Sequence, residues 1–242
     1  ILFSNESQEV VDAVIKEVSE QLFEDWNNAN LDEGEIYADY RILELAGNNY
    51  LNRRFNEFYD LKEGDEIDGI SIESAEGLAV LRHSTAHVLA QAVQEVYPET
   101  KLGIGPPVTD GFYYDFDLPG GAHFSDSDML RIEEEMRRIV AENQPFIRSE
   151  HSIEEGLALF SSQPYKTEII AAVQAGGSAE DLAEVGNSAV VSAYRNTEDF
   201  VDLCRGPHVP STGRLGYFKL MRVAGAYWRG DEKRQQLQRI YG

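Results

Sequence analysis

Two short runs of the sequence concentrate the side chains that could do chemistry. The first contains His83 and His87, which are four positions apart and would lie on the same face of a helix. The second begins at Asp202 and continues through Cys204 to His208. A glycine–proline pair inside this second run predicts a turn, so its side chains could converge from the end of a strand. The two runs together predict one functional site.

The residue types in these runs are compatible with two kinds of site. Tetrahedral zinc takes imidazole and thiolate ligands, and a His-x-x-x-His pair is a common helical half-site. The zinc ligands would then be His83, His87, Cys204 and His208. The same groups can also orient water, relay protons and hydrogen-bond a substrate without a metal. Residue types alone therefore leave both a metal site and a metal-free hydrolytic site open.

A helix from Ser74 to about Tyr97 must position the histidine pair. Ser74 is a typical N-cap residue and Pro98 a typical stop signal. On a helical wheel the apolar residues lie on one face, and the histidines lie on the opposite face next to small residues. The core face comprises Leu78, Leu81, Thr85, Val88, Leu89, Ala92 and Val96, and the histidine face also carries Ala79, Ala86 and Ala90. We therefore expect one face to pack into a core and the other to present imidazoles beside small residues.

The remaining pattern predicts an α+β chain with a mixed or antiparallel sheet. Residues 111–117 alternate as a strand, and serine caps predict helices after Ser125 and Ser152. Strand-like runs recur near residues 189–194, 200–204 and 218–224. An apolar period of about 3.6 over residues 8–26 predicts an amphipathic helix in a separate N-terminal module.

Composition and charge exclude several classes of protein. The chain has 242 residues, of which 42% are hydrophobic, and no apolar run is long enough to span a bilayer. A single cysteine and the absence of a secretory signal favour a cytoplasmic location. The net charge of −22 is the opposite of what a domain that binds nucleic acid by itself would carry. Because the first residue is Ile1, we expect leading residues to be missing.

Seven ordered runs resemble the N-terminal part of bacterial threonyl-tRNA synthetases. They are residues 82–87, 104–106, 111–115, 164–166, 202–208, 226–231 and 237–242. The resemblance implies an editing domain over residues 76–242, preceded by a small β-grasp module of the TGS type over residues 1–75. It implies hydrolysis of serine wrongly attached to threonine tRNA. It also implies a homodimer for the full-length family member, with catalytic and anticodon-binding domains beyond this chain.

The same resemblance limits the activity expected of this polypeptide. The run of motifs stops at Gly242, where the synthetase core of the family would begin, and no class II ATP-binding motif is present. We therefore expect no aminoacylation and no use of ATP. The alternatives are a zinc-dependent deacylase of the alanyl-tRNA synthetase editing type and a non-catalytic tRNA-binding module.

The resemblance also assigns roles to individual residues. It implies that His83 orients or activates water, whereas His87 and His208 shape the pocket and share proton transfer. Lys166 would supply positive charge near the ester. Asp202 would bind the substrate ammonium or hydroxyl group, or hold an imidazole.

The other implied roles concern binding. Cys204 would line the pocket and form hydrogen bonds rather than act as a nucleophile. Tyr114 would bind ribose or phosphate, and Arg205 and Arg229 would contact the terminal phosphates of the tRNA. We expect no cofactor for this reaction, with zinc as the alternative.

Overall fold

The computed structural model describes residues 74–176 and 190–242. The predicted helix in residues 8–26 and the proposed β-grasp module lie outside the described residues, except for the last two positions of that module. Within the described ranges, none of the helices is long and apolar enough to cross a membrane.

The described residues form four helices and eight strands. The helices are α1 (Ala75–Val96), α2 (Asp126–Ala141), α3 (Ile153–Leu159) and α4 (Pro164–Gln174). The strands are β1 (Lys101–Leu102), β2 (Pro107–Val108), β3 (Gly111–Asp117), β4 (Ile147–His151), β5 (Val191–Arg195), β6 (Val201–Leu203), β7 (Arg222–Tyr227) and β8 (Gln236–Tyr241).

Helix α1 begins and ends where its capping signals predict. The Ser74 hydroxyl accepts a hydrogen bond from the Gly77 N–H at 3.0 Å, and the helix ends before Tyr97 and Pro98. Burial extends beyond the predicted core face, because every residue from Ser84 to Val93 is buried. Other elements cover both sides of the middle of the helix, so the histidine face lines a cleft inside the fold.

The strands form two antiparallel sheets. The larger one has the order β1-β3-β8-β7, with β2 also paired to β3. The smaller one has the order β4-β5-β6. Every pair in both sheets is antiparallel, which confirms an α+β fold and resolves the choice between a mixed and an antiparallel sheet.

Both ends of strand β3 were predicted correctly, whereas the ends of β7 were not. The strand-like run at residues 218–224 overlaps β7 only from Arg222 onwards. The pairing of Arg222 with Tyr241 fixes the start of β7, and the preceding segment leaves Tyr217 and Met221 exposed. Strand β8 was not predicted as a strand at all, since its buried positions depend on this pairing.

The capping signals of two further helices are confirmed. Ser125 and Asp128 form a reciprocal capping box at the start of α2, and Ser152 and Glu155 form another at the start of α3. Helix α2 packs its apolar side on α1. Helix α4 has a proline, Pro164, at its first position, where the fixed φ of proline suits the helix.

The side chains of the site lie between two clusters of buried apolar residues. Phe112, Tyr114 and Phe116 of β3 are buried in the same cluster as the middle of α1. Ile169 and Ile170 of α4 belong to a second cluster, with part of β5 and β6. The two clusters bring α1, β3, α4 and β6 close together, and the side chains between them form the site.

Candidate active site

Side chains from α1, β3, α4 and β6 line one small cleft. The open space that they enclose is about 220 Å³, including solvent at the mouth of the cleft. The lining residues are His83, His87, Gly105, Tyr114, Lys166, Asp202, Leu203 and Cys204. Six of the nine predicted site residues therefore lie around one cleft.

The backbone around Cys204 holds the thiol towards α1. The Cys204 N–H donates to the Ser192 carbonyl at 3.2 Å, and the Ser192 hydroxyl donates to the Cys204 carbonyl at 2.9 Å. The Gly206 N–H donates to Cys204 Sγ at 3.2 Å. Cys204 is thus fixed just beyond the end of β6, where the predicted turn begins.

Two imidazoles face this sulfur. Cys204 Sγ lies 3.2 Å from His83 Nε2 and 3.2 Å from His208 Nε2. The three ligand atoms lie within 4.8 Å of one another. This donor set fits a zinc site with three protein ligands and an open fourth position. His87, the fourth predicted ligand, does not belong to this group.

Ser84 fixes the orientation of His208. The Ser84 hydroxyl donates to the Val80 carbonyl at 2.8 Å and accepts from the Val209 N–H at 3.0 Å. It also lies 3.1 Å from His208 Nδ1. Because a hydroxyl has one proton to donate, Ser84 accepts from Nδ1–H, and His208 Nε2 presents its lone pair to Cys204. The role of Ser84 was missed, although this residue stands inside the histidine run.

A buried cation and a buried carboxylate form the other half of the cleft. Lys166 Nζ lies 2.8 Å from Asp202 Oδ1 and donates to the Tyr114 hydroxyl at 3.0 Å. The Tyr114 hydroxyl donates to Asp202 Oδ2 at 2.6 Å. The Lys166 side chain is only 1% exposed. The three side chains therefore form a closed network that holds one positive and one negative charge at the cleft.

Burial keeps the three imidazoles neutral near pH 7. Burial lowers the pKa of His87 to about 4, and the charge of Asp202, whose Oδ2 is 3.9 Å from His87 Nδ1, opposes this only in part. Burial also lowers the pKa of His83, again against the charge of Asp202. Loss of water contact and the two neighbouring imidazoles lower the pKa of His208 well below its usual value. Neutral imidazoles can accept a proton or bind a metal.

The two predicted phosphate contacts occupy different places. Arg205 is exposed and directly follows Cys204 in the chain, but it is not among the residues that line the cleft. Arg229 lies in the connection between β7 and β8 and forms an ion pair with Glu168, Nε to Oε1, at 3.0 Å. Arg234 binds the same carboxylate. Arg229 is not among the residues that line the cleft.

Comparison with known proteins shows which family this chain resembles. Residues 191–241 match the family described as the threonyl and alanyl tRNA synthetase second additional domain. The chain is 52% identical over 179 residues to a threonine–tRNA ligase of Rubrobacter xylanophilus, a match that covers 74% of this chain and 26% of the relative.

Two further relatives give the same result. A threonine–tRNA ligase of Nocardioides sp. is 44% identical over 196 residues, covering 76% of this chain and 29% of the relative. One of Acidithiobacillus ferrooxidans is 52% identical over 184 residues, covering 75% and 26%. The chain belongs to the threonine–tRNA ligase family. It spans between a quarter and a third of the length of these threonine–tRNA ligases.

Proposed function

We propose that this chain hydrolyses the ester that links serine to the 3′ end of threonine tRNA. The observation that carries the proposal is a small cleft lined by a neutral imidazole, a thiol and a buried lysine–carboxylate pair. A site that distinguishes serine from threonine must respond to one methyl group, which changes binding by only about 1–3 kcal/mol. A second, hydrolytic site therefore improves accuracy where binding alone is insufficient.

His83 is the residue that we assign to the attacking water. Its ring is neutral near pH 7 because burial lowers its pKa, so it can accept a proton as the water oxygen bonds to the ester carbonyl carbon. His208 and Cys204 hold the ring from one side, with Cys204 Sγ 3.2 Å from His83 Nε2. The water would lie between His83 and the ester at the mouth of the cleft.

Lys166 is the residue that we assign to the negative charge formed on the carbonyl oxygen. An ammonium group has three N–H donors, and two of them face Asp202 and Tyr114. The third can donate to the oxyanion of the tetrahedral intermediate. A fixed donor in a site with little water is worth more than one in solution.

The intermediate then collapses, and the bond between the carbonyl carbon and the ribose oxygen breaks. The ribose oxygen takes up the proton that His83 received from water, directly or through His208, and serine leaves as the free acid. The Asp202 carboxylate would bind the ammonium group of serine. His87 would help to hold this carboxylate, since its Nδ1 lies 3.9 Å from Asp202 Oδ2. Arg205, which is exposed and follows Cys204 in the chain, would bind a phosphate of the tRNA acceptor end.

A zinc-dependent reaction is the second candidate, because three ligand atoms converge. His83, Cys204 and His208 would hold the ion, and the hydrogen bond from His208 Nδ1 to Ser84 would orient one ligand, as in many zinc sites. When bound, zinc would activate water and polarise the ester carbonyl. We favour the metal-free reaction, in which the same three residues hold water.

Hydrolysis of charged tRNA in the presence and absence of chelator tests both candidates. We expect the chain to release serine from threonine tRNA at the same rate before and after treatment with a chelator. Metal analysis of chelator-free protein accompanies the assay. Stoichiometric zinc, with activity lost to chelator and restored by zinc, would replace the metal-free reaction by the zinc reaction. No release of serine at high protein concentration would overturn the proposed function.

A further inference from the structure

The loop between β1 and β2 forms one wall of the cleft. The Gly103 N–H donates to the Asp115 carbonyl at 2.8 Å, and the Asp115 N–H donates to the Ile104 carbonyl at 3.0 Å. These two bonds fix the loop against β3. Gly105 follows directly, is buried, and lines the cleft without contributing a side chain.

Gly105 lies against the face of the Tyr114 ring. A Cβ atom at this position would be 2.1 Å from Tyr114 Cδ2 and 2.6 Å from Cε2. Non-bonded carbon atoms prefer about 3.5–4.0 Å, so even one methyl group would overlap the ring. Gly105 is not among the glycines with a positive φ, so an alanine could adopt its backbone conformation. The ring is therefore the obstacle to a side chain here.

The Tyr114 ring has little freedom to move away from this contact. It is 2% exposed and stacks on Phe116 at a centroid distance of 5.0 Å and an interplanar angle of 25°. Its hydroxyl joins Lys166 and Asp202, as described above. A group added at Gly105 would therefore shift the hydroxyl, or shift the loop that Gly103 and Ile104 fix to β3.

We infer that Gly105 is a positioning residue, whose missing side chain allows the Tyr114 hydroxyl to reach both Lys166 and Asp202. This inference rests on the proposed function for its effect on catalysis. The Tyr114 hydroxyl accepts from Lys166 and donates to Asp202, so it sets the direction in which the remaining ammonium donor points. Displacing the hydroxyl would misdirect that donor while leaving the surface that binds tRNA unchanged.

The kinetic test compares Gly105→Ala in two backgrounds. In the wild-type background we expect kcat for serine release to fall about 10²-fold, as for a misplacement of about 1 Å in a catalytic group, with KM for the charged tRNA changed less than threefold. In the Tyr114→Phe background, where the hydroxyl is already absent, the same substitution should lower kcat less than threefold further. A merely structural role of Gly105 would give equal losses in both backgrounds.

Gly225→Ala is the matched control. A Cβ at Gly225 would meet only the end of the Gln236 side chain, at 2.9 Å, and both residues are exposed. That flexible group can move aside. We expect this variant to keep the wild-type kcat and Tm, which separates the effect of the Tyr114 contact from a general effect of replacing glycine in this protein.

A stability test detects the contact without any measurement of activity. Gly105→Ala should lower the Tm of the wild-type protein by several degrees, but should change the Tm little in the Tyr114→Leu background, because the smaller side chain leaves room for the methyl group. If Gly105→Ala alone does not fold, recovery of folding in the double variant supports the inference and continued misfolding overturns it.

The two sets of measurements separate the inference from the proposed function. A wild-type kcat for Gly105→Ala, or equal losses of Tm in both backgrounds, would overturn the positioning role. If the wild-type protein releases no serine, the proposed function fails, and the Tm comparison alone then decides whether Gly105 positions Tyr114.

Discussion

At the scale of single residues, the cleft divides into an imidazole–thiol half and a charged half. Cys204 contacts two imidazoles, whereas Lys166 contacts Asp202 and Tyr114. The proposed chemistry requires both halves, since one accepts a proton from water and the other stabilises negative charge. Substitutions in the two halves should therefore reduce the same rate for different reasons.

His83→Ala and Lys166→Ala should each slow single-turnover release of serine by roughly 10²–10³-fold, as expected for loss of a positioned acid–base group or an oxyanion donor. Cys204→Ser should have a smaller effect, because a hydroxyl can still accept from the Gly206 N–H. A covalent cysteine mechanism predicts the reverse order, with an acyl-enzyme intermediate in the wild type. Stopped-flow or quench measurements on the three variants give the order directly.

Thermal melting must accompany these rates, because Lys166→Ala leaves a buried carboxylate without its cation. Breaking a buried ion pair in this way costs roughly 3–5 kcal/mol, and Asp202 is only 5% exposed. Lys166→Met is the matched variant, since it keeps most of the side-chain volume. If Lys166→Ala and Lys166→Met are both folded at the assay temperature and both lose the same rate, the loss is due to the missing charge of Lys166.

Several site residues could be predicted from the sequence, and others could not. The spacing of His83 and His87 and the run around Cys204 pointed to one site, because each run is local. The inward position of Lys166 came only from the family resemblance, since burial of a lysine depends on a distant carboxylate. Ser84 and Gly105 were missed because a hydroxyl bonded to a ring, or a missing side chain, acts through a tertiary contact.

At the scale of secondary structure, capping residues predicted helix starts well, whereas burial around a helix could not be predicted. Ser74, Ser125 and Ser152 each precede a helix, because their side chains bond the first N–H groups locally. Helix α1 is buried on all sides through its middle, although its pattern identified only one face as a core face. Which neighbours cover a helix is decided by elements far away in the chain.

One buried carboxylate anchors α2 to the segment before β7. The Glu133 side chain is 3% exposed and accepts from the Leu220 N–H and from Lys219 Nζ, both at 2.9 Å. Burial would raise the pKa of Glu133, but the hydrogen bond from Leu220 and the interaction with Lys219 outweigh it, so the pKa is lowered. This anchor fixes the segment that leads into β7.

Glu133→Gln should lower the free energy of unfolding by about 1 kcal/mol at pH 7, because a neutral amide is a weaker acceptor than a carboxylate. The folded-state pKa lies below the ordinary value of 4.5. The contribution of the charge is therefore complete above pH 4.5 and is lost as the pH falls through the folded-state pKa. Denaturant unfolding at several pH values measures this difference.

Glu134→Gln is the control for this experiment, since Glu134 is exposed on the same helix. It should change the stability by less than about 0.5 kcal/mol at any pH. If the difference between the wild type and Glu133→Gln is the same at pH 3 as at pH 7, the carboxylate charge is not what anchors α2.

At the scale of the whole molecule, the negative charge is unevenly distributed along the chain. Residues 1–73 contain nineteen Asp or Glu residues against five Lys or Arg, whereas the net charge of the chain is −22. Most of the repulsion towards a polyanion therefore comes from the part that precedes α1. The cleft itself pairs its one cation with its one carboxylate.

A chain that begins at residue 74 should bind threonine tRNA several-fold more tightly than the full chain at about 50 mM salt, because the repulsion from residues 1–73 is removed. Screening should abolish the difference near 0.5 M salt, where the Debye length is only a few ångströms. Titrations with labelled tRNA at several salt concentrations measure both effects. Weaker binding by the shorter chain would mean that residues 1–73 bind the tRNA directly.

The measurement that tests the central proposal most directly is the ratio of two rate constants. Threonine tRNA charged with serine and the same tRNA charged with threonine are each incubated with excess protein, and loss of the ester is followed in a single turnover. We predict much faster loss of serine than of threonine, with His83→Ala slowing the serine reaction. Equal rates for the two esters, or a rate no faster than that without protein, would contradict the account.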